Sequence, residues 1–342
     1  MRKIGILTGG GDCPGLNAVI RGVVETCSRA GIEVMGLRNG WKGAIEGDAF
    51  PLTLKDVEGL QVKGGTILGS SRTNVMKIEN GPEKVRESMK RLGLEGIVAI
   101  GGDDTLGVAN QLTKLGMPMV GVPKTIDNDL SCTDYTFGFD TSANIVMEAI
   151  DRLRTTADSH ARIMVVEIMG RHTGWIAVQG GIAGDANIIL IPEFPKSIEE
   201  IEKIVLERKA SGHRSTVIAV AEGFKLKGYT VEATVKDAFG NACLPEQEIG
   251  KTLAKVLEER TGIESRYVVL GHLQRGGSPS AFDRVLSLRL GAKAGELVAN
   301  KQYGNMVALS STDIVVADLD KAVTERKLVD KDLYQVAELL FR

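Results

Sequence analysis

Short apolar runs alternate along this chain with longer stretches in which apolar residues recur every third or fourth position. The short runs, at 3–7, 33–37, 96–100, 118–122, 163–168, 187–191, 216–221 and 267–271, predict strands, most of them buried on both faces. The longer stretches, near 16–30, 82–92, 106–116, 140–158, 172–183, 197–211, 247–261 and 282–300, predict amphipathic helices. Such alternation indicates parallel sheets covered by helices, and no short repeat points to a solenoid. A domain break is expected near Phe137-Gly138-Phe139, between a loop rich in Asp and Thr and the helix containing Ile145, Ala149 and Leu153.

The polar residues at the predicted strand ends carry the chemistry. After Ile97–Ile100 come Gly101-Gly102-Asp103-Asp104-Thr105 and then a helix with an apolar stripe. A strand, a Gly-rich turn and a helix N-terminus suit an anion, because backbone N–H groups there point outward with partial positive charge. Two carboxylates beside a phosphate call for a metal between them, and Mg²⁺ fits because it binds through one or two carboxylates plus substrate phosphates. Taken alone, the loop reads equally well as a βα turn with Asp as N-cap. Thr8-Gly9-Gly10-Gly11-Asp12-Cys13-Pro14-Gly15 is a second such loop, matching neither the Walker A nor the Gly-x-Gly-x-x-Gly pattern.

Pro123-Lys124-Thr125-Ile126-Asp127-Asn128-Asp129 is more specific, since it packs Lys, Thr and two Asp into the turn after another buried strand. Parallel strands deliver such turns to one sheet edge, so Asp103, Asp104, Lys124, Asp127 and Asp129 are expected to converge on one metal-phosphate centre. An Asp there can accept the proton of an attacking hydroxyl. Arg162, Met169-Gly170-Arg171 and Glu222 border two further strands, and Arg266, His272 and Arg275 flank the last one, suggesting a second anion pocket. Together these describe a phosphotransferase acting on an already phosphorylated small molecule.

Composition narrows the partners. With 342 residues, about two domains of roughly 150 residues are expected. The 43% apolar and 25% charged balance is that of a globular protein, and a net charge of −2 gives no general attraction to nucleic acid. Cys13, Cys27, Cys132 and Cys243 lack metal spacing and read as reduced buried thiols. A strand begins at Lys3, leaving no room for a signal peptide, and no apolar run reaches transmembrane length. A cytoplasmic protein without membrane partners is expected.

At these residues, from Lys3 to about Ala299, the chain resembles the 6-phosphofructokinase family. The resemblance rests on Gly-Gly-Gly-Asp-Cys-Pro-Gly-Leu-Asn at 9–17, Gly-Gly-Asp at 101–103, Pro-Lys-Thr-Ile-Asp-Asn-Asp at 123–129, Met-Gly-Arg at 169–171, Glu222 and Leu-Gly-His-Leu-Gln-Arg-Gly-Gly at 270–277. It implies two Rossmann-like three-layer α/β/α domains with the active site in the cleft between them. Residues 1–138 plus about 274–324 would bind the phosphoryl donor, and 139–273 plus about 325–342 fructose 6-phosphate. A homodimer or homotetramer is implied too. By motif, Asp127 would be the general base for the 1-hydroxyl and Asp103 the Mg²⁺-associated carboxylate. Thr125 and Asp129 would orient the substrate end, and Arg171 would neutralise the moving phosphoryl group. Met169, Gly170, Glu222, His272 and Arg275 match sugar-phosphate contacts, Gly11 and Arg72 donor-phosphate positions. Arg162 and Arg266 match the pair lent across a subunit interface.

Two positions bear on the donor. ATP-using members typically have Gly where this chain has Asp104, and commonly Gly where it has Lys124. An Asp at 104 takes the space of a nucleotide α-phosphate and repels it. Two like charges about 4 Å apart at an effective dielectric near 20 cost on the order of 4 kcal/mol, close to three decades of affinity. Lys124 offers a cation to a compact diphosphate, so the chain looks like the pyrophosphate-dependent subtype. Trp41 stands where many bacterial members carry an aromatic hydroxyl, and the stretch from Glu222 to Arg266 is long, so extra surface structure is expected there. Arg21 and Arg154 resemble parts of an effector pocket, but Glu25 puts a carboxylate where a cation would be favoured. The rival readings are an ATP-dependent 6-phosphofructokinase, a lipid or NAD kinase sharing the Gly-Gly-Asp-x-Thr loop, and a non-catalytic metabolite-binding paralogue.

Overall fold

The computed structural model describes residues 2–226, 235–236, 242–243 and 249–341. In chain order the described strands are β1 (Arg2–Thr8), β2 (Ile32–Leu37), β3 (Ala49–Leu52), β4 (Ile97–Gly101), β5 (Met119–Pro123), β6 (Ile163–Ile168), β7 (Ile188–Leu190), β8 (Thr216–Ala221), β9 (Val235–Lys236), β10 (Ala242–Cys243), β11 (Ser265–Val269), β12 (Asn305–Ser310) and β13 (Asp313–Asp318). The chain divides into two α/β units, one holding Met1–Asp140 and Arg275–Lys327, the other Thr141–Lys236, Ala242–Gln274 and Leu328–Arg342.

In the first unit a seven-stranded sheet runs β13-β12-β5-β4-β1-β2-β3. The inner pairs are parallel, and antiparallel β3 and β13 close the two edges. Thr8 lies opposite Ile100 and Gly101 opposite Pro123, so β1, β4 and β5 end level. The chain winds from β1 outward to β2 on one side and returns to β4 on the other. The loops after β1 and β4 therefore flank a topological switch point, where open α/β sheets bind ligands. Leu7, Ala99, Leu106, Leu112 and Met119 form one core with Trp41 and Met89. Removing a side chain such as the fully buried Leu106 to Ala would cost about 2–5 kcal/mol.

In the second unit a wholly parallel four-stranded sheet runs β11-β6-β8-β7. Every residue of β6, β7 and β8 is buried, as continuous apolar runs require when helices cover both faces. Val165, Leu190, Ile218, Leu253 and Leu257 anchor its core.

Several elements depart from the sequence expectations. The helix after β4 begins at Asp103, three residues early, so Asp103 and Asp104 occupy its first turn and extended Gly102 is its N-cap. Acidic residues there are favoured by the helix dipole. The last predicted strand ends at Val269, and a 3₁₀ turn over Gly271–Arg275 follows. Edge strands β3 and β13, and the inner strand β12, were not expected. β13 mixes exposed and half-buried residues without strict alternation, and its hairpin turns at Ser311, a non-glycine residue at φ 53°, so no Asn-Gly or Asp-Gly signal marks it. Of the stretch between Glu222 and Arg266, where extra surface structure was expected, residues 227–234, 237–241 and 244–248 lie outside the described residues, residues 247–248 of the predicted helix among them; the antiparallel pair β9–β10 and the helix Ile249–Thr261 are described. Cys13 and Cys27 are buried free thiols and Cys132 is half-buried; the Cys243 side chain lies outside the description. No described helix is long and apolar enough to cross a membrane.

Candidate active site

In the first unit, three loops leave the level ends of β1, β4 and β5. Thr105, buried in the helix after β4, locks two of them together. A Cβ on Gly9 would come within 2.5 Å of its Oγ1, and one on Gly101 would strike its Cβ. Gly9 N also donates to Ile100 O at 3.0 Å. The Trp41 indole is 1% exposed and donates to Thr105 O at 3.3 Å, so this aromatic supports the helix start from inside the core. Gly10 takes φ 78°, its N–H donates to Ser71 O at 3.1 Å, and Ser70 Oγ donates to Gly10 O. These bonds hold exposed Arg72 beside the β1 loop. Arg275 joins it from the far end of the sequence, with Nη1 donating to Asp12 O at 3.3 Å and its guanidinium filling the space a Cβ on Gly11 would need.

The loop after β5 is closed by pairing of Lys124 with Phe137 and by Lys124 N donating to Gly101 O at 2.9 Å. Within it, Asp127 N donates to Thr125 Oγ1 at 3.1 Å, Thr136 Oγ1 donates to Thr125 O at 2.7 Å, and Asn128 adopts φ 52°. Lys124 is 4% exposed. Burial chiefly lowers its proton affinity below the ordinary lysine range and Arg275 adds to this, while Cys13, Asp127 and Asp103 oppose. The Cys13 thiol is itself pushed up to about 12 by burial. The Asp129 carboxyl is pushed up to about 7 by burial and then by the charges of Asp127 and Asp103, against the pull of Arg326.

Asp103, Lys124, Asp127 and Asp129 thus share one field, with Asp104 in the same helical turn as Asp103. Asp103 Oδ1 accepts the Asp104 N–H at 2.9 Å. The donors are oxygen-only and mutually repelling, which suits a hard divalent cation. Among the described residues no three His, Cys, Asp or Glu side chains gather closely enough to enclose a metal. A cation here would take most of its oxygens from phosphates and water, the usual manner of Mg²⁺.

Sequence reasoning did not pick out Arg326 and Lys327. Arg326 Nη2 lies 3.4 Å from Asp103 Oδ2 and its Nε 3.6 Å from Asp129 Oδ2. Lys327 Nζ donates to Asn128 Oδ1, Thr133 O and Asp134 O at 2.9, 3.0 and 2.8 Å, and burial brings its ammonium down to about 8. Nothing local in Glu325-Arg326-Lys327 distinguishes it from a solvated charge run.

In the second unit, Met169-Gly170-Arg171, Glu222 and His272 follow β6, β8 and β11, three adjacent strands whose ends are level. Gly223 N donates to Gly170 O at 3.1 Å, and a Cβ on Gly223 would strike the Arg171 carbonyl, so two glycines let these loops touch backbone to backbone. Met169 N donates to the buried Gln274 Oε1 at 3.2 Å, and Glu222 N to Ile168 O at 2.7 Å. Arg162 and Arg266 lie elsewhere, at the starts of β6 and β11 and so on the opposite sheet edge. Both bind Glu264: Arg162 Nε sits 2.7 Å from Oε2, and Arg266 contacts Oε1. Hydrogen bonding to Arg162 chiefly holds the Glu264 carboxyl below its ordinary range. The grouping of Arg266 with His272, inferred from their spacing, therefore does not hold within this unit, because Arg266 lies at the start of β11 and His272 beyond its end.

The two arginines with effector-pocket resemblance have local partners. Arg21 binds Gln61 and, at 3.3 Å, Glu25; Arg154 donates to the carbonyls of Gly184 and Asp185.

Residues 3–298 match the family model described as Phosphofructokinase. The chain is similar, at 54% identity over 99% of both chains, to a pyrophosphate--fructose 6-phosphate 1-phosphotransferase of Amycolatopsis methanolica. It is 48% identical, over 98% of itself and 99% of the other, to ATP-dependent 6-phosphofructokinase 3 of Streptomyces coelicolor. Its fold matches the crystal structure of Pichia pastoris phosphofructokinase with a TM-score of 0.84 at 31% identity, over 99% of this chain and 36% of that one.

Proposed function

The chain belongs to the phosphofructokinase family, and from that premise we infer that it is a pyrophosphate-dependent 6-phosphofructokinase. It moves a phosphoryl group from pyrophosphate to the 1-hydroxyl of fructose 6-phosphate, giving fructose 1,6-bisphosphate and phosphate. Relatives named for ATP stand nearly as close as those named for pyrophosphate, at 48% against 54% identity. The donor assignment therefore rests on particular residues. The observation that carries it is the pairing of a carboxylate at 104, in the first turn of the helix after β4, with the buried ammonium of Lys124 beside Gly10. A nucleotide α-phosphate meets like charge at the first, and a compact diphosphate meets a desolvated cation at the second, where electrostatic attraction is strong.

On this reading the first unit holds the donor, through Gly11, Arg72, Asp104 and Lys124, and the second holds the sugar phosphate, through Met169, Gly170, Glu222 and His272. Arg275 makes its sugar-phosphate contact from the β1 loop. Thr125 and Asp129 orient the acceptor end. The sugar's O1 forms a bond to phosphorus as the bridging P–O bond of pyrophosphate breaks, and phosphate leaves with the electron pair. Asp127 takes the hydroxyl proton, and Arg171 offsets charge on the transferring group. Asp103 would hold Mg²⁺, which when bound neutralises charge on the donor oxygens. A phosphoanhydride without nucleotide is exchanged for a phosphoester at little driving force, so the reaction runs readily in both directions. Arg162 and Arg266, on the opposite sheet edge, serve a neighbouring subunit of a homodimer or homotetramer.

The test is the steady-state rate with fructose 6-phosphate and Mg²⁺, pyrophosphate against ATP at matched concentrations, for wild type and Asp104→Gly. Wild type is expected to turn over with pyrophosphate and little with ATP, and the variant to lose pyrophosphate use. Efficient ATP use by wild type would keep the family and overturn the donor; an unchanged preference in the variant would sink the role of Asp104.

A further inference from the structure

We infer that Arg326 is the resident counter-ion of the donor half-site, a guanidinium that holds Asp103 and Asp129 until a divalent cation displaces it. The inference rests on the reading of Asp103 as the metal-associated carboxylate. Asp103 lies in the first turn after β4 and Asp129 in the loop after β5, and Arg326 reaches both, at 3.4 and 3.6 Å. Its backbone is fixed from both sides: Arg326 pairs with Leu130, and Lys327 N donates to Asp129 O at 2.9 Å. The three bonds from Lys327 Nζ pin the same strap to the loop.

A firmly placed Cα thus presents a side chain that is 39% exposed. Both contacts are longer than the roughly 2.7–2.9 Å of a tight charge-assisted hydrogen bond, so charge holds the guanidinium there without a closed fork, and it is exchangeable. The two oxygens of Asp103 are used differently. Oδ1 accepts the Asp104 N–H, whereas Oδ2, among the described residues, takes no other bond than that to Arg326, so a cation that binds through Oδ2 meets the arginine there.

This gives a sign opposite to that of a merely structural arginine, whose loss would loosen the site and weaken metal binding. Mn²⁺, which takes the same oxygen ligands as Mg²⁺, serves as the probe. Its free concentration is counted by electron paramagnetic resonance, at fixed low salt without donor or sugar, for wild type, Arg326→Met and Asp103→Asn. Arg326→Met is expected to bind Mn²⁺ about three- to tenfold more tightly, the effect of removing one positive charge at this distance in a half-exposed site. Equal or weaker binding by Arg326→Met, with wild-type binding that depends on Asp103, overturns the displacement idea alone. Binding that survives Asp103→Asn unchanged overturns the metal assignment and this inference with it. Should Arg326→Met fail to fold, Arg326→Lys keeps the charge but loses the two-pronged reach. It must then bind Mn²⁺ more tightly than wild type by a smaller factor, and no gain overturns the proposal.

Discussion

The two units deliver their chemistry to level ends of parallel strands, but they hold it differently. In the first, each of the three loops is tied to another loop or to the core by side chains: Thr105 under Gly9 and Gly101, Trp41 under Thr105, Lys327 under the loop after β5. Lys124 is buried and Asp129 nearly so, and both feel the charge of the more exposed Asp103. In the second, the loops after β6 and β8 are joined through backbone at Gly170 and Gly223, and His272 is exposed. Two of its arginines, Arg162 and Arg266, are held on the opposite edge by Glu264. The difference follows from the work proposed for each. Positioning a highly charged donor requires a preorganised field, which needs fixed charges in low dielectric. A sugar phosphate can be completed by groups from a neighbouring copy, and those groups need only be presented.

The largest expected effect tests the first unit's side of this contrast. Asp127→Asn removes the proton acceptor and is expected to lower kcat by about 10²–10⁴-fold, with little change in KM for either substrate, in steady-state assays. Lys124→Met should follow, lowering kcat/KM for pyrophosphate by about 10²-fold through loss of a buried charge aimed at the donor. An equal loss in fructose 6-phosphate affinity would mean that the lysine only supports the loop.

The second unit's side is tested by mixing two inactive proteins. Asp127→Asn and Arg162→Ala, subunits exchanged and re-associated at equal amounts, should recover about a quarter of wild-type activity if the protein is a dimer that lends Arg162 across its interface. Half of the re-associated dimers are then mixed, and one of their two sites is intact. No recovery would confine Arg162 to its own chain and break the contrast.

The smallest effect concerns the first unit's stored repulsion. Asp129 has its carboxyl raised from 3.8 to about 7 in the folded protein, so between roughly pH 4 and 7 the folded state holds a proton that the unfolded state has released. Its contribution to stability is therefore greatest at the acid end of that window and declines as pH rises through 7. In EDTA, Asp129→Asn should melt a few degrees above wild type at pH 8, and the difference should shrink toward pH 5. A difference independent of pH would show that the carboxyl is not destabilised by its neighbours.

Much of this protein is legible in one dimension. The buried strands are, because covering both faces of a parallel sheet demands mostly apolar runs such as residues 163–166 and 217–221. The turn chemistry is legible too, since Gly-Gly-Asp-Asp-Thr and Pro-Lys-Thr-Ile-Asp-Asn-Asp concentrate polar groups at strand ends. The edges were missed for a physical reason: β13 fully buries none of its side chains, and its pairing with β12 is fixed by backbone contact across a turn without a glycine signal. The grouping of Arg266 with His272 failed because a strand's two ends are near in sequence and on opposite edges in space.

The sequence by itself determined the layered α/β architecture, the strand ends that carry the charged motifs and the residues at 104 and 124 to which the proposed donor preference is assigned. These are local properties, set by side-chain period and by turn residues that need no distant partner. Only the tertiary structure decided that Arg275 belongs to the β1 loop, that Trp41 is a core support, that Arg162 and Arg266 share Glu264, and that Arg326 spans Asp103 and Asp129 from some 200 residues away in the chain. Charges act through space with a reach of several ångströms, and spacing along the chain does not record which of them the folding of strands and helices brings within that reach.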